Sequence, residues 1–269
     1  MPAAFLEKID WRQPWLAAVL PAASVVLRAA DWRDGLNAVA CDRGLKNHRS
    51  IPLKFVPQSD LPAGVAYETF ISVNGSVPTR DNLHDFFNAL VWLSYPRIKA
   101  QLNALQAAEI ARRETSAPSS RGKLRDAATI FDENAVLLLS AEPAVDDALR
   151  QHQWHKLFIE QRALFQRNCR VHLFGHALME KLVAPYKAIT GHTWVVQVQP
   201  AILALPETEQ QQWVDARVAS QLAREMSTSD FTHLPVLGVP GWWPVQGENF
   251  YADAAVFRPM REHPPPVVG

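Results

Sequence analysis

Cysteine is nearly absent: Cys41 and Cys169 are the only two in 269 residues. Two distant thiols cannot staple a chain of this size, which excludes a disulfide-framed scaffold. Their spacing also excludes a CxxC redox or zinc-finger site. Net charge is absent too. Lys plus Arg and Asp plus Glu number 27 each, so no global field draws the chain to nucleic acid or anionic lipid. Long apolar runs are missing: residues 15–27, the most apolar early stretch, are broken by Pro21 and too short to span a bilayer. The first ten residues lack a basic region followed by an apolar run, so no secretory signal is expected, and the expected setting is the cytoplasm without membrane contact. No GxSxG elbow, GxxxxGK[ST] phosphate loop, GxGxxG turn or HExxH helix occurs, so the common one-motif enzyme classes find no foothold.

What is present is a globular composition, 48% hydrophobic, sufficient for a sizeable core. The expected fold is one α+β domain over residues 1–269, helix-rich, with a small mixed or antiparallel sheet. Short helices are expected within residues 11–42, then a strand at Tyr67–Val73 ending in an Asn74-Gly75 tight turn. Helices should follow at 82–94, opened by cap oxygens of Thr79 or Asp81, and at 96–114, opened by Pro96. Residues 115–122 read as a mobile loop. A hairpin is expected with Asp132-Glu133-Asn134 as its turn and strands at 129–131 and 135–140. Further helices are expected at 142–152, 154–167, 176–184 and 207–227, with strands at 170–174 and 193–198. The Pro/Gly-interrupted tail, 234–269, should wrap the surface irregularly, pinned by Trp242 and Trp243.

Two polar clusters interrupt these patterns. On a helix, Asp81, His84, Asp85 and Asn88 share one face through i,i+3 and i,i+4 spacing. A merely solvated face usually recruits Glu, Lys, Arg and Gln, which form helices better than Asp, His and Asn. That choice of residues suggests capping, buried hydrogen bonding or ligand binding. His176 and Glu180, four apart, can place an imidazole and a carboxylate on one metal. Such a pair also occurs without metal. Arg121, Lys123 and Arg125 form a basic run, with Arg80 and Arg97 upstream.

Residues 78–92, 125–134, 174–182, 237–244 (Leu-Gly-Val-Pro-Gly-Trp-Trp-Pro) and 251–258 together resemble an uncharacterised bacterial family, a domain of unknown function. The resemblance extends from about Tyr67 to Arg258. It implies a proteobacterial protein with one family-wide domain, and carries no activity, cofactor or catalytic residue.

The residues themselves support three readings. In the first, His84, Asp85, His176 and Glu180 hold a divalent ion (zinc, manganese or iron) of a hydrolytic enzyme, with Asp132 or Glu133 completing the ligands or serving as general base. In the second, Arg80, Arg97, Arg121, Lys123 and Arg125 bind a phosphorylated small molecule, or less readily nucleic acid, without catalysis, with Asp81 and Asn88 as further candidate ligand-binding residues. In the third, the clusters are a buried network that only fixes the fold.

Overall fold

Six consecutive residues, Ala135–Ser140, are buried on both sides and form the inner strand β3 of a four-stranded sheet in a computed structural model. The structure describes residues 4–115, 122–223 and 226–260. In chain order, the elements before β3 are α1 (Leu20–Val26), α2 (Trp32–Asp42), β1 (Lys54–Pro57), α3 (Tyr67–Asn74), β2 (Ser76–Thr79), α4 (Leu83–Ser94), α5 (Pro96–Thr115) and α6 (Gly122–Asn134). After it come α7 (Pro143–Arg150), α8 (Arg162–Asn168), β4 (Cys169–Leu173), α9 (His176–Lys181), β5 (Thr190–Gln197), α10 (Pro200–Leu203), α11 (Glu207–Leu222), β6 (Thr232–Pro235) and α12 (Glu248–Tyr251). The sheet order is β4-β3-β5-β6, with β3 parallel to β5 and the two outer pairings antiparallel. β1 and β2 form a separate parallel pair. This is a helix-rich α+β fold with a small mixed sheet. One apolar cluster runs from Leu6 to Phe257 and takes in α4, β3 and the tail. No helix among the described residues is long and apolar enough to cross a membrane.

Three expectations about elements are corrected. Tyr67–Asn74 is a helix, not a strand, despite its β-branched residues. Its carbonyls at Ile71 and Ser72 are satisfied by the buried Asn47 amide, at 2.8 and 3.0 Å, and Gly75 ends it in the left-handed region at φ 67°. Asn74-Gly75 is thus a helix stop rather than a hairpin turn. The expected hairpin is also replaced: residues 122–134 are helical and run directly into β3. The reason is an apolar stripe of Leu124, Ala127, Ala128 and Phe131 at helical spacing, the last three fully buried. The tail begins in a strand, β6, before turning irregular, and it is anchored by Trp242 against Trp15 and by a Lys187–Asp253 ion pair at 2.7 Å. The loop expected at 115–122 lies, for residues 116–121, outside the described residues.

Gly175 decides how the pieces meet. It links β4 to α9, and its amide donates to the Ala135 carbonyl at 2.9 Å. A Cβ here would come within 2.6 Å of backbone atoms of Asn134 and Ala135. Only glycine lets the start of α9 lie against the end of α6. Gly175→Ala is expected to cost about 1–3 kcal/mol through this overpacking, read as a lowered midpoint in urea unfolding. An unchanged midpoint would show that the two segments can part without loss.

Candidate metal centre

Three helix ends converge at one point. His84 stands on the first turn of α4, where Asn82 caps the helix by accepting the Asp85 amide at 2.8 Å. Asp132 and Glu133 occupy the last turn of α6, and His176 opens α9. The close approach at Gly175 brings the last two ends together, while α4 packs along α9.

The His84 and His176 rings meet nearly perpendicular, with their Nε2 atoms 3.1 Å apart. Glu133 Oε1 lies 3.8 Å from His176 Nε2. One ligand atom from each of His84, Glu133 and His176 falls within 4.8 Å of the others, the sole such group among the described residues. The outer nitrogens face carboxylates. His84 Nδ1 contacts Glu180 Oε2 at 3.0 Å, and His176 Nδ1 lies 3.9 Å from Asp132 Oδ1. An ionised carboxylate only accepts, so Glu180 places the proton of a neutral His84 on Nδ1 and leaves Nε2 a lone pair. His176 Nδ1 is buried without a well-formed hydrogen bond, since the nearby Asp132 groups fall short of good geometry.

Behind His176, Asp132 pairs with Lys99, whose ammonium is buried and also donates to Asn88 Oδ1 at 2.8 Å. Burial pushes the Asp132 pKa up, but the Lys99 ammonium together with the His176 and His84 rings outweighs it and holds the carboxyl below its ordinary value. Burial raises the Glu133 carboxyl. Burial also drives His176 down to about 4, against the pull of Asp132, so this ring is neutral near pH 7.

Of the residues singled out by sequence, His84, His176, Asp132 and Glu133 lie together. Glu180 touches the far side of the His84 ring. Asp85 does not join them. Its carboxylate accepts from the Arg80 amide at 2.7 Å and from the guanidinium at 2.9 Å through both Nε and Nη2. Asp81 pairs with Arg33 at 2.9 Å, and Asn88 bridges Lys99 and Tyr67. Arg125 is exposed on α6, and Arg121 lies outside the described residues. Lys99, Tyr67 and Glu68 were missed. Lys99 reads as any helical surface lysine, and the other two fall in the segment taken for a strand.

The cluster opens into a cavity of about 380 Å³, also lined by Tyr67, Glu68, Arg80 and Asn88. A cavity of about 410 Å³ elsewhere is lined by His172 and Gln210, but these are paired: His172 Nδ1 with the Tyr95 hydroxyl at 2.9 Å, Nε2 with Gln210 at 3.2 Å. It offers no convergent unpaired group and is the weaker candidate despite its size.

Two stability predictions follow from these buried charges. Lys99→Met leaves the Asp132 carboxylate buried and unpaired, and should cost about 3–5 kcal/mol; adding Asp132→Leu should recover much of that loss in urea unfolding. No recovery would mean the lysine acts through other contacts. His172 is held at about 4 by burial, against about 6.5 when unfolded. Protonation therefore favours the unfolded chain: this contribution is complete above pH 6.5 and is lost as pH falls towards 4. The loss is on the order of 3 kcal/mol and should be smaller in His172→Gln, as measured by unfolding midpoints at pH 7 and pH 4.5.

No curated protein and no solved structure matches the chain. One family model does, over residues 53–261, which takes in β1 through the tail and every residue of the cluster. The chain belongs to that family, DUF3025, described as a protein of unknown function.

Proposed function

We propose that His84, His176 and Glu133 hold a divalent metal ion and that the cavity above them is the active site of a metal-dependent hydrolase. The reading rests on one observation: two neutral-competent imidazoles turn their Nε2 atoms to within 3.1 Å of each other, each with Nδ1 beside a carboxylate. Two lone pairs so placed repel unless a cation or a proton lies between them. Metal–nitrogen bonds of 2.0–2.1 Å in a tetrahedral centre separate two nitrogens by about 3.3 Å, close to the spacing here. Carboxylates behind metal-binding histidines fix the tautomer and raise ligand basicity, the part we assign to Glu180 and Asp132.

Two histidines and one carboxylate leave positions for water and substrate, and a divalent ion in such a set lowers the pKa of water and polarises an acyl or phosphoryl oxygen. Zinc, manganese and iron all accept this donor set. The chain supplies the rest. Asp132, kept ionised by Lys99, orients His176. Glu68 lines the same cavity, and burial raises its carboxyl, the direction a group exchanging protons near neutral pH requires. Asp85 is left out of the ligand set because its lone pairs serve Arg80.

Elemental analysis of protein purified without an affinity metal, together with titration by zinc, manganese and iron(II), tests the reading. Near-stoichiometric metal is expected. His84→Ala, His176→Ala and Glu133→Gln should abolish it or weaken it severely, Glu180→Gln should weaken it roughly 10–100-fold, and Asp85→Asn should leave it intact. Hydrolysis of nitrophenyl esters or phosphates should vanish with chelator. A wild-type chain that takes up none of these ions sinks the proposal and leaves a His–His hydrogen bond serving the fold alone.

A further inference from the structure

Lysine settles the direction of a hydrogen-bond chain that ends in the cavity. The Lys99 ammonium has donors only, so the atom of Asn88 facing it at 2.8 Å must be the amide oxygen. The other end of that amide is then the NH2, which faces the Tyr67 hydroxyl at 3.0 Å. Tyr67 therefore accepts from Asn88, and its own proton must go elsewhere. Among the described residues the Tyr67 hydroxyl makes no hydrogen bond besides the one it accepts from Asn88. Tyr67 lines the same cavity as His84, Glu133 and His176.

We infer that Tyr67 is a catalytic residue, presenting its O–H to the oxygen of a bound acyl or phosphoryl substrate where negative charge builds up. The inference rests on the proposed metal centre. It adds a second, metal-independent donor to the charge-bearing oxygen, the function of an oxyanion hole. Burial and the neighbouring carboxylates Glu68, Asp85 and Asp132 carry the phenol well above its ordinary pKa. That environment favours the protonated phenol, the form that donates. The substrate class is accordingly one with a polarisable C=O or P=O oxygen. Lys99 and Asn88 are positioning residues: they touch no substrate, yet they fix where the phenolic proton points.

The test uses the metal-loaded protein and acetohydroxamate, a small metal-seeking ligand whose oxygens mimic such a charge. In Tyr67→Phe, metal content should equal wild type while acetohydroxamate affinity, measured calorimetrically, falls on the order of tenfold or more. Asn88→Asp keeps the phenol but replaces the amide by a carboxylate that accepts from both Lys99 and Tyr67. The phenolic proton then turns away from the cavity, and the same loss is expected. A merely structural hydroxyl would lower unfolding midpoints without changing affinity for the probe. Unchanged affinity in either folded, metal-loaded variant overturns the inference while leaving the metal centre standing. Failure of the wild type to take up metal removes both.

Discussion

The buried pair of Lys99 and Asp132 joins α5 to α6, and much of the site's order descends from it. An ammonium at this depth is tolerable only with a carboxylate beside it and further acceptors around it, and the fold supplies Asp132 and Asn88. From Asp132 the constraint passes to the His176 ring, and from Asn88 to the Tyr67 hydroxyl. One cation below the cavity floor thereby orients a phenol above it and holds a carboxylate 3.9 Å from a histidine nitrogen.

The polar groups are not spread evenly. Asp85 and Arg80 satisfy each other at the cavity rim, and His172, Tyr95 and Gln210 do so beside β4. Other buried atoms among the described residues, His192 Nδ1 and Trp92 Nε1 included, lack a partner; what sets the meeting of α4, α6 and α9 apart is that two imidazoles crowd together there beside carboxylates.

Much of the fold was legible from the chain. Helices α4 and α5 announced themselves through Pro96 and their apolar spacing, although Asn82 caps α4 rather than Thr79 or Asp81. Strands β3, β4 and β5 of the mixed sheet showed as short β-rich runs, while β6 lay in the tail expected to be irregular. Tyr67–Asn74 misled because β-branched Thr69, Ile71 and Val73 favour strands locally, while its helical state depends on the Asn47 amide and Gly75. Residues 129–134 misled because Asp132-Glu133-Asn134 resembles a turn, although the stripe from Leu124 to Phe131 already carried helical spacing. For the site, the unusual residue choice around His84 and His176 was readable. Glu133 was among the residues named to complete the ligands, but the choice of it over Asp85 was not readable, because it depends on how Gly175 seats α9 against α6. Lys99 left no trace in the sequence, as burial of a lysine is a property of the packed helices alone.

The two histidines are 92 positions apart in the chain. At 5–20 residues per second, the ribosome delivers His176 roughly 5–20 s after His84. Glu133 arrives midway, but throughout that interval α4 carries an imidazole without His176 or Glu180, and α6 lacks the helix that packs against its end. The constellation can therefore close only once α9 has been made, after synthesis has passed β4. A nascent or misfolded chain exposes single histidines and scattered carboxylates, which compete poorly for ions, so possession of the complete cluster marks a molecule that has finished folding.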